Sequence, residues 1–179
     1  MSDPVVLRPA TADDAAAIAA TIAAAFAQYR GKLVPQSGAF ADTATVIAAE
    51  FANGSTAIVA ERKGEMLGCV MMKVMAGDLY FGRLSVIPKA RGLGLARRLV
   101  EAVEADAHGR GLAGVRLGVR VVLTDNQRLF RSLGYVETGR EAHPGFDYPT
   151  SINMRKVLGG PRASGAPHER AEGPRSRRV

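Results

Sequence analysis

The stretch VIPKARGLGLARRLV, residues 86–100, decides the fold. An apolar strand end, Val86-Ile87, runs into Pro88. Lys89 and Arg91 follow, then Gly92 and Gly94 with one residue between them, then a strongly helical run. Glycine is a poor helix former, about 1 kcal/mol worse than alanine, so two glycines at the mouth of a helix need a reason. The first four N–H groups of a helix have no intrahelical acceptor, and the aligned peptide dipoles add roughly half a positive charge at that end. Without Cβ atoms at positions 92 and 94, several of these N–H groups can converge on phosphate oxygens. The residues therefore read as an anion site suited to a pyrophosphate, with Arg91 and Lys89 adding charge. An ordinary tight strand-to-helix turn is the competing reading.

Two familiar phosphate-binding patterns fail. No G-x-x-x-x-G-K-[ST] run exists. The dinucleotide pattern G-x-G-x-x-G/A fails at its third small position, where Arg97 stands. The surrounding elements also argue against a nucleotide fold, because the region before the turn reads as hairpins. TAIVAER and MLGCVMMKVM are β-type runs separated by the compact KGE signal, and LYFGRLSVI follows the Ala76-Gly77-Asp78 turn.

Further upstream, Val5-Val6-Leu7 is a short strand expected to stop at Pro9. A helix then starts on Thr11, with Asp14 three residues on as a capping-box partner and Ile18, Ile22 and Phe26 as its buried stripe. Gly31 to Asp42 is a loop. A second helix, Thr43 to Phe51, is expected to bury Val46, Ile47 and Phe51 and to end at Asn53-Gly54. Downstream of the glycine turn, Leu95, Leu99 and Val103 mark a buried helix face closed near Gly109 to Gly111. VRLGVRVVL is a strand, DNQRLFRSL a short helix stopped by Gly134, and YVETGREA with SINMRKVL a strand pair. The order is β-α-α-β-β-β-α-β-α-β-β, over residues 1–158.

Composition narrows the function classes. The formal charge of +7 suggests nucleic acid, but residues 159–179 carry five arginines against two glutamates. That segment is rich in Gly, Pro and Ala with almost no large apolar groups, so it is expected to be a disordered basic tail. The rest of the positive charge is scattered except for Lys89, Arg91, Arg97 and Arg98 around the turn, an arrangement suited to an anionic ligand. No helix-turn-helix or zinc spacing supports nucleic-acid binding. No metal site is expected, because Cys69 is the single cysteine and lies in the apolar run GCVMM, as a packed core thiol does. No run is apolar enough to cross a membrane, and the N-terminus lacks a charged segment leading into an apolar one, so a cytoplasmic protein is expected.

The segment LSVIPKARGLGLARRLVEAVEADAHGRG resembles the acetyl-CoA-binding motif of the GNAT family of N-acetyltransferases, whose pattern is Q/R-x-x-G-x-G/A after a strand and a proline. Gly92, Gly94 and Ala96 stand at its positions, with Arg91 immediately before Gly92. The element order from residue 4 to about 158 also looks like that fold. The resemblance implies an α/β (α+β) architecture, a mixed central sheet of about six or seven strands flanked by helices. It implies acetyl-CoA as co-substrate and an amine acceptor; a homodimer is left open.

Carried over residue by residue, the resemblance implies that a pyrophosphate lies on the amides of Arg91, Gly92, Leu93, Gly94, Leu95 and Ala96. It implies that the pantetheine arm adds to the strand edge at Leu84, Ser85 and Val86. An exposed strand edge does offer unpaired N–H and C=O groups for such an addition. Asn126 matches a cofactor contact, with a plain helix cap as the alternative. The chain departs from the family pattern twice. Where many members carry a tyrosine that protonates the leaving thiolate, this chain has Phe130. Where relatives often place a glutamate base, on the strand before the turn, this chain has none. Asp78, Glu137, Glu141 and His143 are left as candidate bases. Tyr29, Arg140, His143 and Tyr148 are candidate acceptor contacts, with solvated loop charges as the bland reading. The two departures keep a second function open: a non-catalytic acyl-CoA sensor or interaction module on the same fold.

Overall fold

The structure, a computed structural model, describes residues 3–159, so apart from Gly159 the expected basic tail lies outside the described residues. Two turns organise the middle of the chain. Lys63-Gly64 and Ala76-Gly77 all take positive φ, between 50° and 82°. Paired left-handed residues match the right-handed twist of flanking strands. Thr56–Arg62 (β2), Glu65–Met75 (β3) and Asp78–Val86 (β4) accordingly form an antiparallel meander. Val6–Pro9 (β1) pairs antiparallel with β2 on the outer edge. Pro9 does not stop this strand but closes it, opposite Ile58. An edge strand pairs on one side only, so the missing N–H is tolerated there.

After the glycine turn, Leu95–Gly109 (α3) crosses the sheet and Gly114–Arg120 (β5) returns parallel to β4. The other described strand pairs are antiparallel: Ser151–Val157 (β7) lies beside β5, and Val136–Glu141 (β6) lies beside β7. The result is the expected mixed α/β architecture, a seven-stranded sheet in the order β1-β2-β3-β4-β5-β7-β6.

Helices cover both faces. Ala15–Phe26 (α1) follows a 3-10 turn capped by Thr11, whose N–H donates to Asp14 Oδ2 at 2.7 Å. With Ala44–Ala52 (α2) it packs Ile18, Ile22 and Ile47 on Val59, Cys69 and Met71. Val46, expected in that stripe, is exposed instead, because the nine-residue α2 turns only a narrow face to the sheet. On the other face α3 buries Leu99, Val100 and Val103 against Val70, Leu79, Phe81 and Val115. Each such side chain contributes about 1.5–3 kcal/mol when fully buried. Gly68 makes this packing possible: a Cβ there would stand 2.7 Å from the Ser85 carbonyl oxygen and 3.2 Å from Leu99 Cδ1. Thr124–Ser132 (α4) closes the same layer with Phe130, edge-on to Phe81 and Tyr135.

Candidate active site

β4 and β5 pair only at Leu79–Val115, Tyr80–Arg116 and Phe81–Leu117, and then part. β4 supplies the reason. Between Gly82, opposite Met71, and Ser85, opposite Cys69, it carries one residue more than β3 does. This is a bulge, which bends a strand and ends its pairing. Arg83 takes φ 54° there, a left-handed conformation that costs a side-chain-bearing residue roughly 1–2 kcal/mol. Arg83 is held by its ion pair with Asp42, and its carbonyl accepts from Ser85 Oγ at 2.9 Å. The parting opens a cleft of about 520 Å³. Leu84 and Val86 line it, whereas Ser85 between them is buried. From Gly82 to Val86, the β4 edge that faced β5 has no strand partner among the described residues.

The glycine turn closes one end of this cleft. Gly92 and Gly94 hold φ of 78° and 70°, and a Cβ on either would meet nothing within 4 Å. The backbone shape therefore demands glycine, while the space above both residues stays open. Arg91 N–H donates to the Pro88 carbonyl at 3.3 Å and Arg98 N–H to the Gly94 carbonyl at 3.1 Å. The six amides between them, Gly92 to Arg97, have no protein acceptor among the described residues. Arg91 and Ala96 line the cleft, Leu93 is exposed, and the Leu95 side chain is buried beneath the turn. The two basic residues nearby are partly engaged: Lys89 pairs with Glu65, and Arg91 donates to the Ala25 carbonyl at 3.1 Å and to Gln28 Oε1 at 3.3 Å. Arg91 thus ties the turn to the end of α1.

The candidate side chains divide. Asn126, Phe130, Tyr29 and His143 all line the cleft. Asp78 does not serve as a base there. It is buried at the start of β4, paired with Arg116 and held by Arg155 through bonds of 2.7 and 2.9 Å. These guanidiniums hold its carboxyl down to about 2, where it is a very weak proton acceptor. Glu137 is engaged by Arg140 at 2.6 Å on the exposed side of β6, so the structure removes both residues from the cleft lining. Glu141 and Tyr148 are likewise exposed and outside it, Tyr148 standing edge-on to Phe146. Cys69 is fully buried, and burial pushes its thiol up to about 12, which makes it inert as a nucleophile. Tyr135, the tyrosine next to Phe130, is no substitute acid, because burial and the neighbouring Glu104 push its phenol well up.

Two cleft residues escape sequence reading. Arg83 carries the bulge, and nothing in LYFGRLSVI marks an arginine with positive φ. Arg120 ends β5 inside the cleft. Its one signal is the alternation of Arg116, Gly118 and Arg120 with Val115, Leu117 and Val119, which gives β5 one polar face.

Comparison with known proteins gives one consistent picture. A family model described as "Acetyltransferase (GNAT) family" matches residues 22–135. An IAA acetyltransferase of Azospirillum brasilense is 33% identical over 103 residues, which is 56% of this chain and 67% of that protein. In fold, the chain is similar to the ribosomal-protein-S18-alanine N-acetyltransferase of Escherichia coli, with a TM-score of 0.68 at 19% identity over 91% of this chain and 99% of the other. It is similar also to the PaiA N-acetyltransferase of Thermoplasma acidophilum, solved in complex with coenzyme A. There the TM-score is 0.68 at 15% identity, over 87% of this chain and 99% of that one.

Proposed function

Because the chain belongs to the GNAT acetyltransferase family, we propose that it moves the acetyl group of acetyl-CoA onto a primary amine by direct transfer within one ternary complex. One observation carries this reading: six amides without protein acceptors open onto a cleft whose wall is an unpaired strand edge. Acetyl-CoA supplies an acetyl group activated as a thioester. The amides of Gly92 to Arg97 hold its pyrophosphate, and the β4 edge from Leu84 to Val86 pairs with its amide-bearing arm. Asn126 and Phe130 bound the far side of that arm.

The amine nitrogen forms the new bond to the acetyl carbon as the carbon–sulfur bond breaks, and the sulfur leaves as thiolate. A thiol with a pKa near 8.5 leaves without an acid, so Phe130 is no obstacle. The proton on the amine has no good acceptor in the wall. Among the described residues the cleft lining offers one carboxylate, Asp125, which is 90% exposed and paired with Arg128, and one imidazole, His143. His143 Nδ1 is already engaged by Arg120 and Thr150, so the proton goes to water. General acid–base catalysis is worth about 10²–10⁴-fold, whereas placing two reactants together is worth up to about 7–11 kcal/mol. Placement is the term this cleft can supply. A cytoplasmic setting goes with this chemistry, and among the described residues no helix is long and apolar enough to cross a membrane.

A non-catalytic acyl-CoA sensor is the second reading, favoured by Phe130 and by the want of a base. Turnover separates the two: acetyl-CoA with an amine panel, followed by thiol release and by mass detection of the product. The acetyltransferase reading expects an acetylated amine, and its absence beside intact acetyl-CoA binding supports the sensor. Gly94→Glu places bulk and negative charge on the turn and should abolish acetyl-CoA binding in calorimetry. Wild-type affinity in that variant overturns the assignment of the turn.

A further inference from the structure

Resting on the acetyltransferase reading, we infer that the acceptor amine also carries a carboxylate, which Arg120 binds with His143 as a second donor. Three arginines line the cleft. Arg83 is neutralised by Asp42, and Arg91 lies in the glycine turn, bonded to the Ala25 carbonyl of α1. Arg120 is different. Its N–H groups donate to the Pro35 carbonyl, to the Gln36 carbonyl at 3.3 Å and to His143 Nδ1 at 3.3 Å. All three acceptors are uncharged. Arg120 has no carboxylate within ion-pair distance, and its Nε–H has no partner, among the described residues. A half-buried guanidinium with no counter-charge favours an anion arriving from solution, and its planar fork suits a carboxylate.

His143 points to the same ligand. A guanidinium can only donate, so the contact with Arg120 requires His143 Nδ1 to accept, which leaves the ring proton on Nε2. Thr150 Oγ1 also bonds Nδ1 and accepts the His143 backbone N–H at 2.9 Å, which fixes the ring. Burial and the Arg120 charge hold the imidazole below its ordinary range; Glu141, exposed on β6, opposes this weakly. With Nδ1 taken by Arg120 and Thr150 and the proton on Nε2, the ring offers the cleft a donor. One uncompensated positive charge matches a monoanion, so a carboxylate fits better than a dianionic phosphate. A polyamine would meet repulsion at Arg120, and the N-terminus of a protein brings no carboxylate beside its amine. The cleft lining also includes Phe26 and Tyr29, edge-on at 5.8 Å, and Tyr80 on the β4 side. An amino acid with an aromatic or apolar side chain fits both features.

The test uses the full chain with acetyl-CoA and a matched pair of amines, phenylalanine and 2-phenylethylamine, which differ in the carboxylate, with kcat/KM expressed per free-base amine so that their different amine pKa values drop out. Hydrogen bonds to charged groups predict a wild-type preference of about 10–100-fold in kcat/KM for phenylalanine, expressed mainly in KM. Arg120→Gln should bring the ratio close to one while acetyl-CoA affinity holds, and Arg120→Lys should keep most of the preference. Equal or better use of 2-phenylethylamine by the wild type overturns the inference and leaves the acetyltransferase standing; this needs no variant, so a folding defect cannot mask it. Equal losses on both amines in Arg120→Gln also overturn it, assigning Arg120 to holding the Pro35–Gln36 loop. If acetyl-CoA binds and no amine of either kind is acetylated, the acetyltransferase reading falls and the inference falls with it.

Discussion

His143 shows how one neighbour decides what a side chain can do. Seen in sequence it is a candidate base; set against a guanidinium it can only accept at Nδ1 and donate at Nε2. With no base in the wall, the fraction of amine already deprotonated in solution sets the rate. An alkylamine with pKa near 10.4 is about one part in a thousand free base near neutral pH. Below the acceptor's own pKa, kcat/KM should therefore rise about tenfold per pH unit. Two acceptors whose amine pKa values differ by two units should show rising limbs displaced by about two units, and His143→Gln should leave each limb where it was. A limb at one and the same pH for every acceptor, and lost in His143→Gln, would restore the histidine as the base. The glycine turn, in contrast, was legible at this scale, because φ preference and exposed amides are local properties of Gly92 and Gly94.

At the scale of elements, the strands and helices follow from periodicity and turn residues, so the meander, α3 and the β6–β7 pair lie where the pattern puts them. What the pattern does not hold is contact across the sheet. Asp78 opens β4, yet its partners are Arg116 on β5 and Arg155 on β7, residues distant in sequence. Alternation marks all three as polar positions on strands without indicating that they meet. The clamp has a pH signature. The Asp78 carboxyl sits near 2 when folded, below its ordinary 3.8, because the two guanidiniums favour its charged form. A depressed folded pKa means stability that is fully present above about pH 4 and lost as the pH falls through 2, worth about 2 kcal/mol for this shift. Asp78→Asn should thus lower unfolding stability at pH 7 by about 2 kcal/mol, and its denaturation curves should lose less than wild type's between pH 4 and pH 2. An unchanged midpoint at pH 7 would mean that the clamp contributes nothing.

For the molecule as a whole, function arises from a sheet that does not close. The β4 bulge at Arg83 separates two strands, α3 brings a ring of unpaired amides to the gap, and the α1–α2 loop and the β6–β7 loop supply Arg120's carbonyl partners and His143 at the other end. The phosphate end is built by one contiguous stretch and could be read from sequence; the acceptor end draws Pro35, Gln36, Arg120 and His143 from distant parts of the chain and could not. The central claim is that the amides of Gly92 to Arg97 grip a diphosphate, and amide hydrogen exchange of the full chain with and without saturating acetyl-CoA tests it most directly. The account predicts strong protection of those six amides, together with the β4 edge from Leu84 to Val86, on adding acetyl-CoA. Unchanged exchange at residues 92–97 while calorimetry shows acetyl-CoA bound would contradict it.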